Sequence, residues 1–371
     1  MKRKQFSVES STLITYFIML LLFICVRIFF LYVELPLSSN ASDVVITIFV
    51  QIGLMFCFSV LVYSALRKEK PKLVLRQYNY SKIGFKPIIL CVLLGFLCYF
   101  LNLFVANFFN TIISLFGFEN LPTYSSSSAT DYSTTTFIVQ IFTIAILPAI
   151  CEETAHRGLL LNGLSRLGVV KALVISSVLF GLMHLSIQQF FYATVLGFII
   201  GLAVVISRSI WPGIIIHFMN NFLSTYFSFA NANGWPFHDF TQSISSIIYS
   251  GDNIISFFLT SMLVLGVLIM LIVITFASLL KNTRIRKVQD MIEEIKSINQ
   301  NVEGGSVSDE NLLALYTLNQ IANQYGGMQN MIFTDLEKKD LKLSGFQKVI
   351  LIAIIAMGAF VTMSTFVWGV V

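Results

Sequence analysis

The sequence carries little charge for its length. Only 12% of its 371 residues are Asp, Glu, Lys or Arg, whereas 56% are hydrophobic. This composition excludes a soluble domain with a polar surface and is typical of polytopic membrane proteins. The net charge of +5 gives no reason to expect a nucleic-acid partner, because the basic loops described below account for it.

The sequence also lacks a cysteine framework. All five cysteines lie inside long apolar runs, where a thiol behaves as a small apolar side chain rather than as a disulfide partner or metal ligand. They are Cys25, Cys57, Cys91, Cys98 and Cys151. The compartment therefore cannot be read from them.

Long apolar runs are abundant instead. Nine of them are long enough to cross the hydrocarbon core of a bilayer, which takes roughly 20 helical residues. They lie near residues 11–33, 43–66, 86–115, 136–157, 169–187, 189–207, 210–229, 253–280 and 346–370. We predict an all-α, polytopic membrane helix bundle of about nine transmembrane helices, with eight as the alternative count. The first run is read as an uncleaved helix, because no small-residue cleavage site follows it.

Basic residues are confined to alternate loops. Lys and Arg occur at the N-terminus, in residues 67–82, in the turns holding Arg166, Lys171 and Arg208, and from residue 281 onward. Loops 34–43, 116–135 and 230–252 contain neither. Since basic loops stay in the cytoplasm, we expect a cytoplasmic N-terminus and an external C-terminus.

The chain divides into five regions. Residues 1–135 hold three helices, expected to serve packing, and a Ser/Thr-rich external loop; 136–229 form the candidate functional core; 230–280 hold an external loop and the eighth helix; 281–344 are a polar cytoplasmic segment; and 345–371 form the last helix. Two amphipathic stretches in the polar segment, RIRKVQDMIEEIKSI and ENLLALYTLNQIANQY, predict surface helices.

The fourth apolar run contains several charged residues, which are costly to insert into a membrane, in PAICEETAHRG, residues 148–158. Each charge at the bilayer centre costs roughly 2.5–3.5 kcal/mol on insertion scales, so Glu152, Glu153 and Arg157 need partners. Glu153 and Arg157 are four residues apart and are predicted to pair on one helical face. Glu152 shares a different face with His156 and needs a partner on another helix. Pro148 is expected to loosen the helix beside them.

Neighbouring runs supply the partners. His184 lies in the fifth run, and His217 and Asn221 lie four residues apart in the seventh. A carboxylate beside a neutral imidazole can deprotonate water, and an imidazole with an amide can stabilise an oxyanion. A zinc hydrolase that uses Glu152, His184 and His217 as ligands stays open, although the sequence has no HExxH motif. Residue counting puts His184 and His217 near opposite membrane faces, so the helix ends must shift before the two residues meet.

Three motifs occur in order on successive runs: EETAHRG fits EExxxRG, FGLMH fits FxxxH and HFMNN fits HxxxN. Together they resemble the CPBP family of intramembrane proteases, also called the CAAX prenyl endopeptidase or Abi family. The resemblance implies that Glu152 and His184 activate water and that His217 and Asn221 stabilise the oxyanion. It also implies that Glu153, Arg157 and Phe180 orient and shape the site. His156 stands where the family commonly has an aromatic residue.

The resemblance further implies a peptide or protein substrate, membrane-associated or lipidated, in what we expect to be a bacterial plasma membrane. Metal-independent glutamate chemistry without a cofactor is favoured, with zinc as the alternative. Two other hypotheses remain: a non-catalytic membrane scaffold or regulator, as in bacteriocin immunity, and a proton-coupled transporter. The transporter is disfavoured because no paired repeats are evident.

Overall fold

The computed structural model describes residues 6–117, 131–240, 243, 254–303 and 342–370. Throughout these ranges the regular structure is helical, and the predicted polytopic helix bundle is confirmed. Seven helices in them are long and apolar enough to cross a membrane: Val8–Phe30, Ala41–Arg67, Phe85–Ser114, Thr134–Leu167, Ile187–Ser207, Leu259–Thr283 and Gly345–Val367. With the 15-residue α9 and the 23-residue α11, defined below, they correspond to the nine predicted runs.

The first three apolar helices enclose one side of the bundle. They comprise α1 (Val8–Tyr32), α2 (Ser39–Ile48), a π-helical segment (Phe49–Phe58), α3 (Ser59–Arg67), the short α4 (Pro71–Gln77) and α5 (Phe85–Ser114). The Ser7 hydroxyl accepts a hydrogen bond from the Ser10 N–H at 3.2 Å, which satisfies one of the free amides at the start of α1. The second span, from α2 to α3, is one continuous helix whose central part is π-helical and therefore wider.

The fourth span alternates between helix types. It runs through α6 (Thr134–Gln140), a π-helical segment (Ile141–Ile146), α7 (Leu147–Glu153), a second π-helical segment (Thr154–Leu161), α8 (Asn162–Leu164) and a 3₁₀ turn (Ser165–Leu167). Pro148, in the first turn of α7, has no N–H to donate to the Ile144 carbonyl. The helix therefore departs from α geometry around the charged motif, as expected from Pro148. Mid-helix π segments are frequent at functional sites.

The residues before α6 form a helix cap. The Asp131 carboxylate accepts hydrogen bonds from the Ser133 N–H at 3.0 Å and from the hydroxyls of Ser133 and Thr136 at 2.8 and 2.7 Å. These bonds, the Thr136 hydroxyl first, lower the pKa of Asp131. They fix where the fourth span begins. The rest of the predicted Ser/Thr-rich loop lies outside the described residues.

The second half of the core is a tight hairpin followed by one more helix. Helix α9 (Val169–Met183) turns into α10 (Ile187–Ser207) through Leu185, whose φ is 52°. Helix α11 (Trp211–Asn233) ends at Gly234, which takes the left-handed conformation that closes a helix. With 15 residues, α9 is roughly 22 Å long, which is shorter than the roughly 30 Å hydrocarbon core. Its C-terminal end therefore lies inside the bundle.

The eighth helix continues into the polar segment. Helix α12 (Ile254–Glu303) runs for 50 residues without a break, so the eighth helix and the first amphipathic stretch, predicted as separate helices, are one. Its apolar part ends at Thr283, and no Gly or Pro separates the two parts. The second stretch, residues 310–325, lies outside the described residues. The last helix is α13 (Gly345–Val370).

Two buried apolar clusters hold the bundle together. One joins α1 to the fourth span and to α9, with Tyr16, Leu160 and Leu179 among its members. The other joins α5, α10, α11 and α12 through residues such as Cys98 and Ile200. The charged motif of the fourth span lies between these two clusters, where water is largely excluded.

Candidate functional site

A buried ion cluster joins the fourth span to α11. The Arg157 Nη1 donates to Glu153 Oε1 at 3.0 Å, and His217 Nδ1 lies 2.9 Å from the same oxygen. All three side chains are at most 3% exposed. The predicted pairing of Glu153 with Arg157 is confirmed, and His217 is its third member. Burial of such charges is tolerable only when they pair with one another.

Arg157 also contacts the hairpin. Its Nη2 donates to the Gly197 carbonyl at 2.9 Å, and its Cζ lies 4.6 Å from the centre of the Phe180 ring. The planar guanidinium thus makes a carboxylate pair, a carbonyl bond and a cation–π contact at once. A Cβ on Gly197 would lie 3.1 Å from the Phe180 ring, so glycine permits this close approach.

The Phe180 ring is the centre of the site. Its edge-on contacts reach three histidine rings, with centroid distances of 5.0 Å to His156, 5.4 Å to His184 and 5.6 Å to His217. These histidines come from the fourth span, the end of α9 and α11. The apparent mismatch in depth between His184 and His217 disappears because α9 ends inside the bundle and places His184 at its last turn.

Glu152 is held from the second span. Gln51, in the π-helical segment Phe49–Phe58, donates from Nε2 to Glu152 Oε1 at 2.8 Å. Unlike Glu153, Glu152 is only partly buried. No direct hydrogen bond joins Glu152 to His184 in the part of the chain that the structure describes. The expectation that Glu152 faces another helix is confirmed, but its hydrogen-bond partner is Gln51.

Asn221 bridges α11 to the fourth span. Its Nδ2 donates at 2.9 Å to the Ile144 carbonyl, the oxygen that Pro148 leaves without its usual helical donor. Its Oδ1 accepts from Asn220 Nδ2 at 3.1 Å, and Asn220 in turn accepts from Asn102 of α5 at 2.7 Å. One N–H of the Asn221 amide is left for another acceptor.

His156 has a structural environment. It is fully buried, and its Nδ1 lies 2.9 Å from the Glu152 carbonyl oxygen, which can only accept. We therefore assign the proton to Nδ1, which leaves Nε2 to accept from the Tyr16 hydroxyl at 3.1 Å. That hydroxyl also lies 3.2 Å from the Leu179 carbonyl. His156 thus packs like an aromatic residue and closes a hydrogen-bonded link to α1.

Sequence reasoning missed two residues of this site. Gln51 and Tyr16 belong to the region read as packing, yet they contact Glu152 and His156. Gln51 is the only amide side chain in the second apolar run, which is a signal that would have singled it out. Tyr16 gives no comparable signal, because tyrosines are common in membrane helices.

The zinc alternative names Glu152, His184 and His217 as ligands. Among the described residues, no three His, Cys, Asp or Glu side chains are arranged to hold a metal ion. In this arrangement His217 Nδ1 lies 2.9 Å from Glu153 Oε1, and Gln51 donates to Glu152 Oε1. The mechanism proposed below is written without a metal, and its test includes chelation.

A groove of about 570 Å³ lies between α2 and the start of the fourth span. Thr47, Gln140 and Thr143 line it together with Ile144, whose carbonyl is the one that Asn221 binds. Thr47 precedes Gln51 by four residues in the second span, so the groove and the hydrogen bond between Gln51 and Glu152 lie between the same two spans.

Residues 134–223 match a protein-family model described as Rce1-like: Type II CAAX prenyl endopeptidase Rce1-like. The resemblance drawn from the three motifs is confirmed for this segment, which is about a quarter of the chain. Neither the curated proteins nor the solved structures contain a match. At the family level, the match supports a CAAX-type intramembrane protease. Together with the seven apolar helices, it supports an integral membrane protein.

Proposed function

We propose that the chain is an intramembrane endopeptidase that hydrolyses a peptide bond of a membrane-associated or lipidated peptide. The observation that carries the proposal is the assembly around Phe180, where all three motifs converge inside an apolar bundle. Ionisable groups concentrated in this way at membrane depth usually mark a functional site. A merely structural Glu–Arg pair would not need His184 and His217 around the same ring.

The two adjacent glutamates have different tasks. Glu153 is neutralised by Arg157 and His217, so its carboxylate is committed to holding the site together. Glu152 accepts one hydrogen bond and stays partly exposed, which leaves it accessible to water. We therefore assign the general base to Glu152, with His184 as the second residue that orients the water.

The reaction needs one proton to move twice. Glu152 takes a proton from the water as the water oxygen attacks the peptide carbonyl carbon. The resulting oxyanion collapses, the C–N bond breaks, and the proton held by Glu152 passes to the departing amine. The products are a carboxylic acid, which then ionises in water, and an amine, and no covalent intermediate forms with the protein.

Two side chains of α11 would stabilise the oxyanion by hydrogen bonds. Asn221 keeps one free amide N–H after its bond to Ile144. Nδ1 of His217 lies against Glu153, so contact with an oxyanion falls to Nε2, which donates when the ring carries both protons. Donors preset in this way typically contribute about 10²–10³ in rate. The groove between α2 and the fourth span supports entry of the peptide from the membrane.

The test is cleavage of a farnesylated peptide with a free C-terminal carboxylate by purified protein in liposomes. Glu152→Gln and His184→Ala should lower the rate by at least about 10²–10⁴, the usual worth of a general base. Glu34→Gln and His238→Ala remove the same residue types in regions away from the site, and we expect both to cleave normally. Wild-type cleavage by Glu152→Gln would refute the assignment, and activity lost to a chelator and restored by zinc would replace it with the metal mechanism.

A further inference from the structure

A second cavity, of about 620 Å³, lies at the end of the bundle that carries the basic loops. This volume falls within the roughly 300–1,000 Å³ of small-molecule sites. Its walls come from the fourth span, α9, α10 and α12. The lining residues are Tyr78, Asn79, Arg157, Leu161, Asn162, Ser165, Val169, Leu202, Val204, Val205, Ile206, Arg208, Ser209 and Leu280. The proposed hydrolysis gives this cavity no role.

The mouth of the cavity is polar and braced. Arg208 follows α10 in the left-handed conformation, and the Asn79 side chain donates to its carbonyl oxygen. The Asn79 carbonyl accepts from the Ile210 N–H at 3.0 Å, and Asn162 donates to the Gln77 carbonyl at 3.0 Å. The loop after α4 is thereby tied to the turn between α10 and α11. The rim is a built structure rather than a gap between mobile loops.

The lining of the cavity contains two arginines and no Asp or Glu. Arg157 is paired with Glu153, and Arg208 is the arginine at the mouth. Arg157, Leu161 and Ser165 follow one another along the fourth span, so the cavity extends along that span. Arg157 marks the deep end, where it is 2% exposed and its Nε has no hydrogen-bond partner. Between the two arginines the walls are aliphatic.

We propose that this cavity binds an anionic phospholipid, with the phosphate at Arg208 and an acyl chain along Leu161, Leu202 and Ile206. Leu280 of α12 lines it three residues before the apolar span ends at Thr283, which places the mouth at the depth of lipid headgroups. Basic pockets between membrane helices are the sites where anionic headgroups bind. The aliphatic walls, contributed by several helices, match an acyl chain better than the C-terminus of a peptide, whose backbone amides would be left without partners.

The test titrates full-length protein in detergent with phosphatidylglycerol and phosphatidylcholine, using native mass spectrometry and the melting temperature. Phosphatidylglycerol should be retained and should raise the melting temperature, whereas phosphatidylcholine should do neither. Arg208→Gln should weaken phosphatidylglycerol binding by about tenfold or more, because a hydrogen bond to a charged group is lost. Arg76→Gln removes an exposed arginine that does not line the cavity, and it should bind like the wild type.

Val205→Phe fills the apolar part of the cavity without changing its charge, and it serves as a second variant in case Arg208→Gln fails to fold. It too should weaken binding, while both variants keep the helicity of the wild type. Equal binding of the two lipids, or wild-type binding by Arg208→Gln, would overturn the proposal. So would an equal effect of inorganic phosphate alone, or competition by a peptide with a free C-terminal carboxylate. Because binding is measured without a substrate, the result is independent of the proposed proteolysis.

Discussion

Replacing Gln51 with leucine tests whether the second span positions the general base. Gln51 makes one hydrogen bond in the site, from Nε2 to Glu152 Oε1 at 2.8 Å. A hydrogen bond to a charged group is worth about 1.5–3 kcal/mol. If that energy serves to hold Glu152 in its reactive position, its loss lowers kcat by about 10- to 100-fold. The KM should change little, because Gln51 lies beyond the residues that line the groove.

The same substitution should not destabilise the fold. Gln51 is 8% exposed, and its Oε1 is buried without a hydrogen-bond partner. Leucine has a similar volume and removes that unsatisfied acceptor, and water can replace the lost donor because Glu152 is partly exposed, so the melting temperature is expected to change little. A fall in kcat with an unchanged melting temperature separates a positioning role from a packing role, since a packing residue would lower both.

The assay is steady-state cleavage of the farnesylated peptide in liposomes, with the melting temperature measured on the same preparations. Gln77→Leu is the matched control, because Gln77 Nε2 donates to Glu69 Oε2 at 2.6 Å outside the site. It removes an amide–carboxylate bond of the same kind, and we expect it to leave kcat unchanged. A kcat for Gln51→Leu within about twofold of the wild type would refute the reasoning.

Substitutions at three further positions probe the surroundings of the two glutamates. Gly213→Ala would place a Cβ 2.8 Å from Glu153 Oε2, and overpacking of this kind should cost about 1–3 kcal/mol, seen as a lower melting temperature. Arg157→Lys cannot hold both Glu153 and the Gly197 carbonyl, and the loss of one such bond should cost about 1.5–3 kcal/mol. His156→Phe keeps the aromatic packing, so it should retain cleavage within a few-fold, whereas His156→Ala leaves a cavity and should lower the melting temperature. A His156→Phe variant as inactive as Glu152→Gln would instead make His156 part of the chemistry.

The positions of the membrane helices could be predicted from the sequence, since a span must be apolar over a bilayer thickness and hydropathy records this directly. The pairing of Glu153 with Arg157 was equally accessible, because a spacing of four places both on one helical face. The first motif also places Glu152 on a different helical face from Glu153 and Arg157, which indicated that Glu152 needs a partner on another helix. These inferences depend on local spacing alone.

Contacts between helices distant in sequence could not be derived in the same way. The bond between Gln51 and Glu152 depends on how the second and fourth spans rotate and on their π-helical segments, which no local pattern records. The meeting of His184 with His217 depends on α9 ending early at Met183. The sequence predicted two helices where α12 is one, because the hydropathy falls partway along a helix that continues unbroken.

The most direct test of the account compares Glu152→Gln with Glu153→Gln, since the two residues are adjacent but are assigned different roles. We expect Glu152→Gln to lose cleavage by at least about 10²–10⁴ while it keeps the wild-type melting temperature. Glu153→Gln should lower the melting temperature, because Arg157 would be left as an uncompensated buried charge. Cleavage at the wild-type rate by Glu152→Gln, in the same liposomes and with the same farnesylated peptide, would contradict the central claim.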